Sequence, residues 1–333
     1  MLKKFERRKW KVDYSFVIPC YNSSQTILSV VNDIHTVMSE KKTEYEIILV
    51  NDCSPDNLKD VIKDLVYNDH RIKVINLKRN QGKHVALLVG YRASEGDIVT
   101  ILDDDGQCPI TRFWDLIKPL AEGYDVSIAK YPKKKQSFLK NIGSKISILM
   151  QLMLLGRSKK IKFSNFIAMK KDAVEEISEY PGHRPFINKL IIDLHRPIAN
   201  VDMEELPRMA GRSNYNLKKS WELFADGVMS SIGIIRVFQI LGVFLMLMSV
   251  LCFIVLLILT KFYKISLLII SIISLMIFFG GMNFLALGIV GEYAGRAYLQ
   301  TRSNQNKIKI SDTYNLSPQA MRRIGLVTDD SER

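Results

Sequence analysis

The chain has 333 residues, enough for one large α/β domain plus a second element, and its 47 Lys and Arg against 34 Asp and Glu give a net charge of +13. No helix-turn-helix, zinc-finger or RNA-binding signature accompanies that charge, which excludes nucleic acid and directs the basic excess to an anionic membrane surface. Four cysteines with no Cys-x-x-Cys pair exclude structural zinc and a disulfide framework.

The segment Met1–Lys11 is charged (Lys3, Lys4, Glu6, Arg7, Arg8, Lys9, Lys11) and lacks the apolar core of a signal peptide, so the domain that follows is expected to stay in the cytoplasm. From Tyr14 to about residue 130, short apolar strands alternate with amphipathic helices, the rhythm of a doubly wound sheet. Tyr14–Pro19 reads as the first strand and Asn22 as the cap of a helix running towards Met38. Tyr45–Asn51 is the second strand, with Ile47, Ile48, Leu49 and Val50 apolar enough for burial on both faces. Pro55 marks the start of the next helix. Ile72–Leu77 is the third strand, Lys83–Ala93 a helix, and Ile98–Leu102 the fourth strand; Val126–Ala129 and Phe166–Met169 read as further strands.

Phe138–Leu155 breaks this rhythm. It is amphipathic and Met-rich, with Lys140 and Lys145 beside it, and two readings stand: a helix packed on the sheet, or one lying at a membrane surface. Leu217–Ile235, with Lys218, Lys219, Trp221 and Phe224, is a second such candidate. It leads into Val237–Thr260, which carries no charge; Ile265–Gly291 is uncharged as well. Each is long enough to cross a bilayer, and Lys261–Lys264 joins them as a tight hairpin with both ends on one side. Arg236, Arg296 and Arg302 flank those ends, so positive-inside counting places the large domain and the tail in the cytoplasm. The polar tail, Asn304–Arg333, is expected to be loosely ordered.

The chemistry gathers at strand ends, where open parallel sheets bind ligands. The fourth strand runs into Asp103-Asp104-Asp105-Gly106-Gln107. An acidic triplet alone is weak evidence, since most are solvated loops. After an apolar strand in a βα series, Asp103 and Asp105 can hold Mg²⁺ or Mn²⁺ against a diphosphate, Gln107 can add a neutral ligand, and Asp104 points elsewhere. Asp52, after the second strand, can accept the imide N–H of uracil, and Tyr21, after the first, can stack on the base. Gly82 permits close backbone approach and Lys83 can bind a phosphate, although the spacing is not that of a Walker loop.

Ile18-Pro-Cys-Tyr-Asn22, Val50-Asn-Asp-Cys-Ser-Pro-Asp56, Arg79-Asn-Gln-Gly-Lys83 and Leu102-Asp-Asp-Asp-Gly-Gln-Cys-Pro109 stand in the order seen in family 2 glycosyltransferases of the GT-A fold. More narrowly, the chain resembles the polyprenyl-phosphate glycosyltransferases. Arg208-Met-Ala-Gly-Arg-Ser-Asn-Tyr resembles that subgroup's segment before the membrane, and Gly291-Glu-Tyr-Ala-Gly-Arg296 its segment after the last span. The likeness covers Tyr14 to about Tyr298.

The resemblance implies a GT-A Rossmann-like doubly wound sheet, then amphipathic interface helices and a two-helix transmembrane hairpin. It divides the chain into a catalytic domain (1–215), a juxtamembrane helix (216–236), two spans (237–260 and 265–291) and a tail (292–333). It implies catalytic roles for Asp103, Asp105 and Arg208, and metal ligation by Asp103, Asp105 and Gln107. Pro19, Tyr21, Asn22, Asp52, Ser54, Lys83, Asp103 and Asp104 would bind nucleotide. Lys130, Lys140, Arg208, Arg212 and Ser213 would bind the acceptor phosphate. The family also allows a homo-oligomer. Four positions depart from its usual pattern: Ser23 replaces Glu, Asn51 and Cys53 replace the first Asp and the Gly of the second strand end, and Lys130 replaces Arg.

The expected reaction is inverting transfer of one sugar from a nucleotide-sugar, with UDP favoured, to polyprenyl (undecaprenyl) phosphate at the cytoplasmic membrane face. A lipid phosphate is largely dianionic at pH 7, so it needs cations rather than a general base. Two alternatives stand beside this. A sugar-hydroxyl acceptor would call for a Gln-x-x-Arg-Trp motif and a Glu-Asp base, and neither occurs; a non-catalytic scaffold would not need Asp103-x-Asp105. Cys20, Cys53 and Cys108 all fall at strand ends, and two readings stand: small residues at tolerant positions, which is the favoured one, or pocket thiols whose alkylation inhibits and which bound nucleotide protects.

Overall fold

A computed structural model describes residues 12–41, 43–132, 161–181, 186–209, 232–259, 266–305 and 308–326, in two compact units. The Phe138–Leu155 segment with Lys140, the residues Arg212 and Ser213, and the stretch 217–231 lie outside the described residues.

The first unit is built on eight strands among the described residues: β1 (Tyr14–Cys20), β2 (Tyr45–Asn51), β3 (Ile72–Leu77), β4 (Ile98–Ile101), β5 (Val126–Lys130), β6 (Ile167–Lys170), β7 (Ile198–Asp202) and β8 (Ile310–Tyr314). They form one sheet in the order β7-β5-β6-β4-β1-β2-β3-β8. Pairings β1–β2, β1–β4, β2–β3 and β5–β7 are parallel, whereas β6 and β8 run against their neighbours. The sheet is therefore mixed rather than wholly parallel.

Successive strand side chains point to opposite faces, and both faces are covered. Phe16, Ile18, Ile47 and Leu49 join one core with helices α1 (Ile27–Ser39), α2 (Leu58–Asn68) and α4 (Phe113–Ala121). Val17, Ile48 and Val50 join the other with α3 (Lys83–Ala93), α5 (Lys171–Ser178) and α6 (Ile187–Asp193). The helix predicted at Lys83–Ala93 and the strand at Ile72–Leu77 form with those bounds.

Three expectations are corrected. Asn22 does not cap a helix: it takes a left-handed φ of 57° as a turn residue, and α1 begins only after Thr26. Pro55 likewise precedes its helix, which starts at Leu58 behind Asn57. The tail is not loose where it is described. β8 adds to the edge of β3, and α9 (Pro318–Arg323) docks with buried Leu316 and Ala320 in the second core, because Ile308, Ile310, Leu316 and Met321 are an apolar set that this edge can bury.

The second unit is an antiparallel hairpin of α7 (Ile232–Leu259) and α8 (Leu267–Gln305). Gly242 and Gly281 let the helices touch: a Cβ on Gly242 would lie 2.7 Å from the Gly281 oxygen. Gln239 Nε2 donates to Glu292 Oε2 at 2.9 Å. Val237–Leu259 and Leu267–Gly295 are long and apolar enough to span a bilayer, yet only 11% and 17% of their most apolar stretches is buried. A soluble core would cover such surface, so the hairpin marks a membrane protein.

Candidate active site

The sheet directions bring one set of residues to a single edge. The carboxyl ends of β1, β2, β3, β4, β5 and β7 lie there, together with the amino ends of the antiparallel β6 and β8. Tyr21, Asp52, Lys83, Asp103–Gln107, Lys130, Asn165 and Glu205–Arg208 follow or precede those ends, and most of them interlock.

Asp103 is held from two sides. Lys83, in the first turn of α3, forms an ion pair with Oδ1, and Asn165 Nδ2 donates to Oδ2 at 2.6 Å. Asp104, expected among the nucleotide-binding residues, turns inward. Its Oδ2 accepts from the Tyr21 amide at 2.9 Å, which ties β4 to the end of β1. Burial pushes its carboxyl up to about 6, against the amide bond, with Asp103 and Asp105 adding to the rise.

Asp105 pairs with Arg208, Nη2 to Oδ2, at 2.8 Å. The segment carrying Arg208 runs alongside the acidic loop. Leu206 N donates to the Gln107 oxygen at 3.0 Å and Met209 N to the Asp105 oxygen at 3.3 Å. Gly106 makes this possible, since it adopts φ +75° and the Met209 side chain lies over the place a Cβ would fill. Gln107 is used inside this contact: Oε1 accepts from Arg208 Nε at 3.3 Å and Nε2 donates to Glu205 at 3.3 Å.

Asp52, only 3% exposed, accepts the amides of Gln81 and Gly82, both at 2.7 Å. Its carboxylate thus closes the Arg79–Gly82 loop that leads into Lys83. Ser54 Oγ accepts from the Asn22 amide at 2.7 Å, and Tyr21 is 38% exposed beside it. Pro19 is buried in β1. Lys130 pairs with Asp202 at 2.8 Å, on the same edge but engaged with β7.

The three strand-end thiols differ. Cys20 and Cys108 are buried, with burial raising both and pushing Cys108 up to about 12, whereas Cys53 is exposed. No local sequence signal marks Asn165; it stands just before the apolar run of β6, and only the antiparallel direction of that strand sends it to this edge.

Among the described residues no group of three or more His, Cys, Asp or Glu could hold a metal. Asp103 and Asp105 supply two hard carboxylates, which fits Mg²⁺ or Mn²⁺ because such ions take their other ligands from phosphates and water. Gln107, the third residue expected to ligate, has its amide engaged with Arg208 and Glu205, as Asp103 is with Lys83 and Asn165 and Asp105 with Arg208.

The pattern of glycosyl transferase family 2 matches residues 15–178. An uncharacterized glycosyltransferase of Synechocystis sp. is 30% identical, covering 92% of this chain and 96% of its own. An undecaprenyl-phosphate 4-deoxy-4-formamido-L-arabinose transferase of Photorhabdus laumondii is 27% identical, over 87% of this chain and 90% of its own. A bactoprenol glucosyl transferase of Shigella phage SfX is 28% identical, over 87% of this chain and 96% of its own.

Proposed function

We propose that this chain, which belongs to glycosyl transferase family 2, transfers a single sugar from a nucleotide-sugar to a polyprenyl phosphate at the cytoplasmic face of a membrane. The observation that carries the reading is the contact of Arg208 with Asp105. It puts a cation suited to an acceptor phosphate directly against a carboxylate suited to a donor's metal. The names of two relatives, which act on undecaprenyl phosphate and bactoprenol, support that acceptor. The hairpin supports a lipid-borne one.

In this reading Asp103 and Asp105 hold the divalent ion, which would offset charge growing on the leaving diphosphate. Lys83 lies beside Asp103 with 39% of its side chain exposed, so its ammonium can turn to a donor phosphate. Asp52 and Ser54 shape the base pocket by fixing loop and turn, and Tyr21 offers its ring to the base. Arg208, with 36% of its side chain exposed, orients the acceptor phosphate through its planar fork. A phosphate dianion attacks without losing a proton, so these cations replace a general base. The donor is UDP-linked, and both termini share the catalytic domain's side of the membrane.

Calorimetric titration of the detergent-solubilised chain with UDP and Mn²⁺ tests the donor half. Binding that disappears in Asp103→Asn and Asp105→Asn supports the reading. Equal binding with and without those carboxylates would contradict it.

A further inference from the structure

The tail strand is bonded into the candidate donor site. β8 runs along β3, pairing Asn76 with Asp312 and Leu77 with Ile310, with a register shift between Asn76 and Leu77. Just beyond, Lys78 N donates to the Lys309 oxygen at 2.9 Å. Lys78 is the last residue before the Arg79–Gly82 loop that Asp52 closes.

Side chains continue the connection inward. Ser311 Oγ donates to the Asn76 backbone oxygen at 3.2 Å. The Asn76 side chain, in a residue 2% exposed, accepts from Asn51 Nδ2 at 2.8 Å. Asn51 Oδ1 in turn accepts from the Ser54 amide at 2.9 Å, and Ser54 Oγ accepts from the Asn22 amide at 2.7 Å. Hydrogen bonds through Ser311, Asn76, Asn51, Ser54 and Asn22 therefore link the tail to the turns that follow β2 and β1, next to Asp52 and Tyr21. The rest of the tail seats β8 firmly. Asn315 Nδ2 donates to the Ile72 oxygen at 3.0 Å, Ser317 Oγ to Glu95 at 2.6 Å, and Arg323 Nη1 to the Ser94 oxygen at 2.9 Å.

We propose that the C-terminal segment 308–326 is a positioning element of the donor site: it holds the carboxyl end of β3, and through Asn76 and Asn51 the turn after β2, in the arrangement that binds nucleotide. The inference rests on the reading of this edge as the donor site. Without β8, β3 is an edge strand with a row of unpaired backbone groups. Strand ends with few remaining bonds open first. Opening there draws Asn76 from Asn51 and leaves two buried amides unpaired, which disfavours the binding arrangement of Asp52, Ser54 and the loop before Lys83.

The test uses the full-length protein with a protease site placed at residues 306–307. After cleavage the tail is released in mild denaturant, its loss is confirmed by mass, and UDP with Mn²⁺ is titrated calorimetrically. The Kd for UDP rises about three- to thirtyfold, the range expected for coupling along such a network. Donor KM rises equally while kcat and the lipid-phosphate KM hold, and a synthetic peptide of residues 308–326 restores affinity. Asn76→Ala and Ser311→Ala give an uncut check: each raises donor KM, and their effects are non-additive in a double-mutant cycle. Unchanged UDP affinity after release, or a fall in kcat with donor KM unchanged, overturns the proposal. Failure of the intact chain to bind UDP overturns the donor-site reading and this inference with it.

Discussion

Arg208 Nη2 lies 2.8 Å from Asp105 Oδ2, and the same guanidinium reaches Gln107 Oε1 at 3.3 Å through Nε. A segment far downstream in the chain thus closes on the acidic loop, so Asp105 carries an internal counter-ion. Arg208 and an incoming divalent cation compete for that carboxylate.

Replacing Arg208 with Gln therefore acts in two directions. Binding of Mn²⁺ with UDP tightens by about two- to fivefold, since the lost pair is part-exposed and worth no more than about 1 kcal/mol. Transfer to lipid phosphate falls about a hundredfold, as is usual when one preorganised donor to a reacting phosphate is removed. Calorimetry and a transfer assay on the same preparation measure both.

Thiol labelling distinguishes the three strand-end cysteines. Cys53 reacts readily in the folded protein, whereas Cys20 and Cys108 stay unlabelled until denaturant is added, because they are buried and their thiolates disfavoured. Counting labelled sites by mass spectrometry checks this, and bound UDP slows modification of Cys53, which lies beside Asp52.

The opposite edge of the sheet holds a buried charge network. Lys73, 8% exposed, pairs with Glu46, 2% exposed, and with Glu95 at 2.6 Å. Lys73→Met leaves Glu46 uncompensated and lowers stability by about 3–5 kcal/mol; adding Glu46→Gln recovers part of the loss. Burial alone would raise the Glu95 carboxyl, but Lys73 and Ser317 outweigh it and hold it below its usual range. This pairing therefore stabilises above the unfolded pKa of about 4.3 and is lost as pH falls through the folded value. Thermal melts of wild type and variants across pH 3–7 measure both effects.

His84 gives a separate acid sensitivity. Burial, reinforced by Lys83, lowers its imidazole to about 4. The unfolded chain takes up a proton near pH 6.5 that the folded chain refuses, so stability falls as pH drops from about 6.5 to 4. In His84→Gln that slope is smaller by about 1.4 kcal/mol per pH unit, which denaturant titrations at pH 4.5, 5.5 and 7 resolve.

Much of this was legible because local pattern and position suffice for it. Ile72–Leu77 and Lys83–Ala93 follow from continuous apolar runs and their boundaries, and Asp103 and Asp105 from their place after one such run. The position of Asp52 after the second strand can be read from the sequence, but its carboxylate serves Gln81 and Gly82, a contact that depends on how two loops meet. Asn165 and the tail strand escaped notice for the same reason. Each reaches the site through an antiparallel pairing with a strand distant in sequence, and short half-polar strands such as Ile310–Tyr314 carry little periodicity of their own.

The most direct measurement uses membranes containing the chain, undecaprenyl phosphate, Mn²⁺ or Mg²⁺, and a panel of radiolabelled UDP-sugars, with Asp105→Asn alongside. Label enters the organic phase with one sugar, and none does with the variant. Label confined to a water-soluble or polymeric product would contradict transfer to a lipid phosphate.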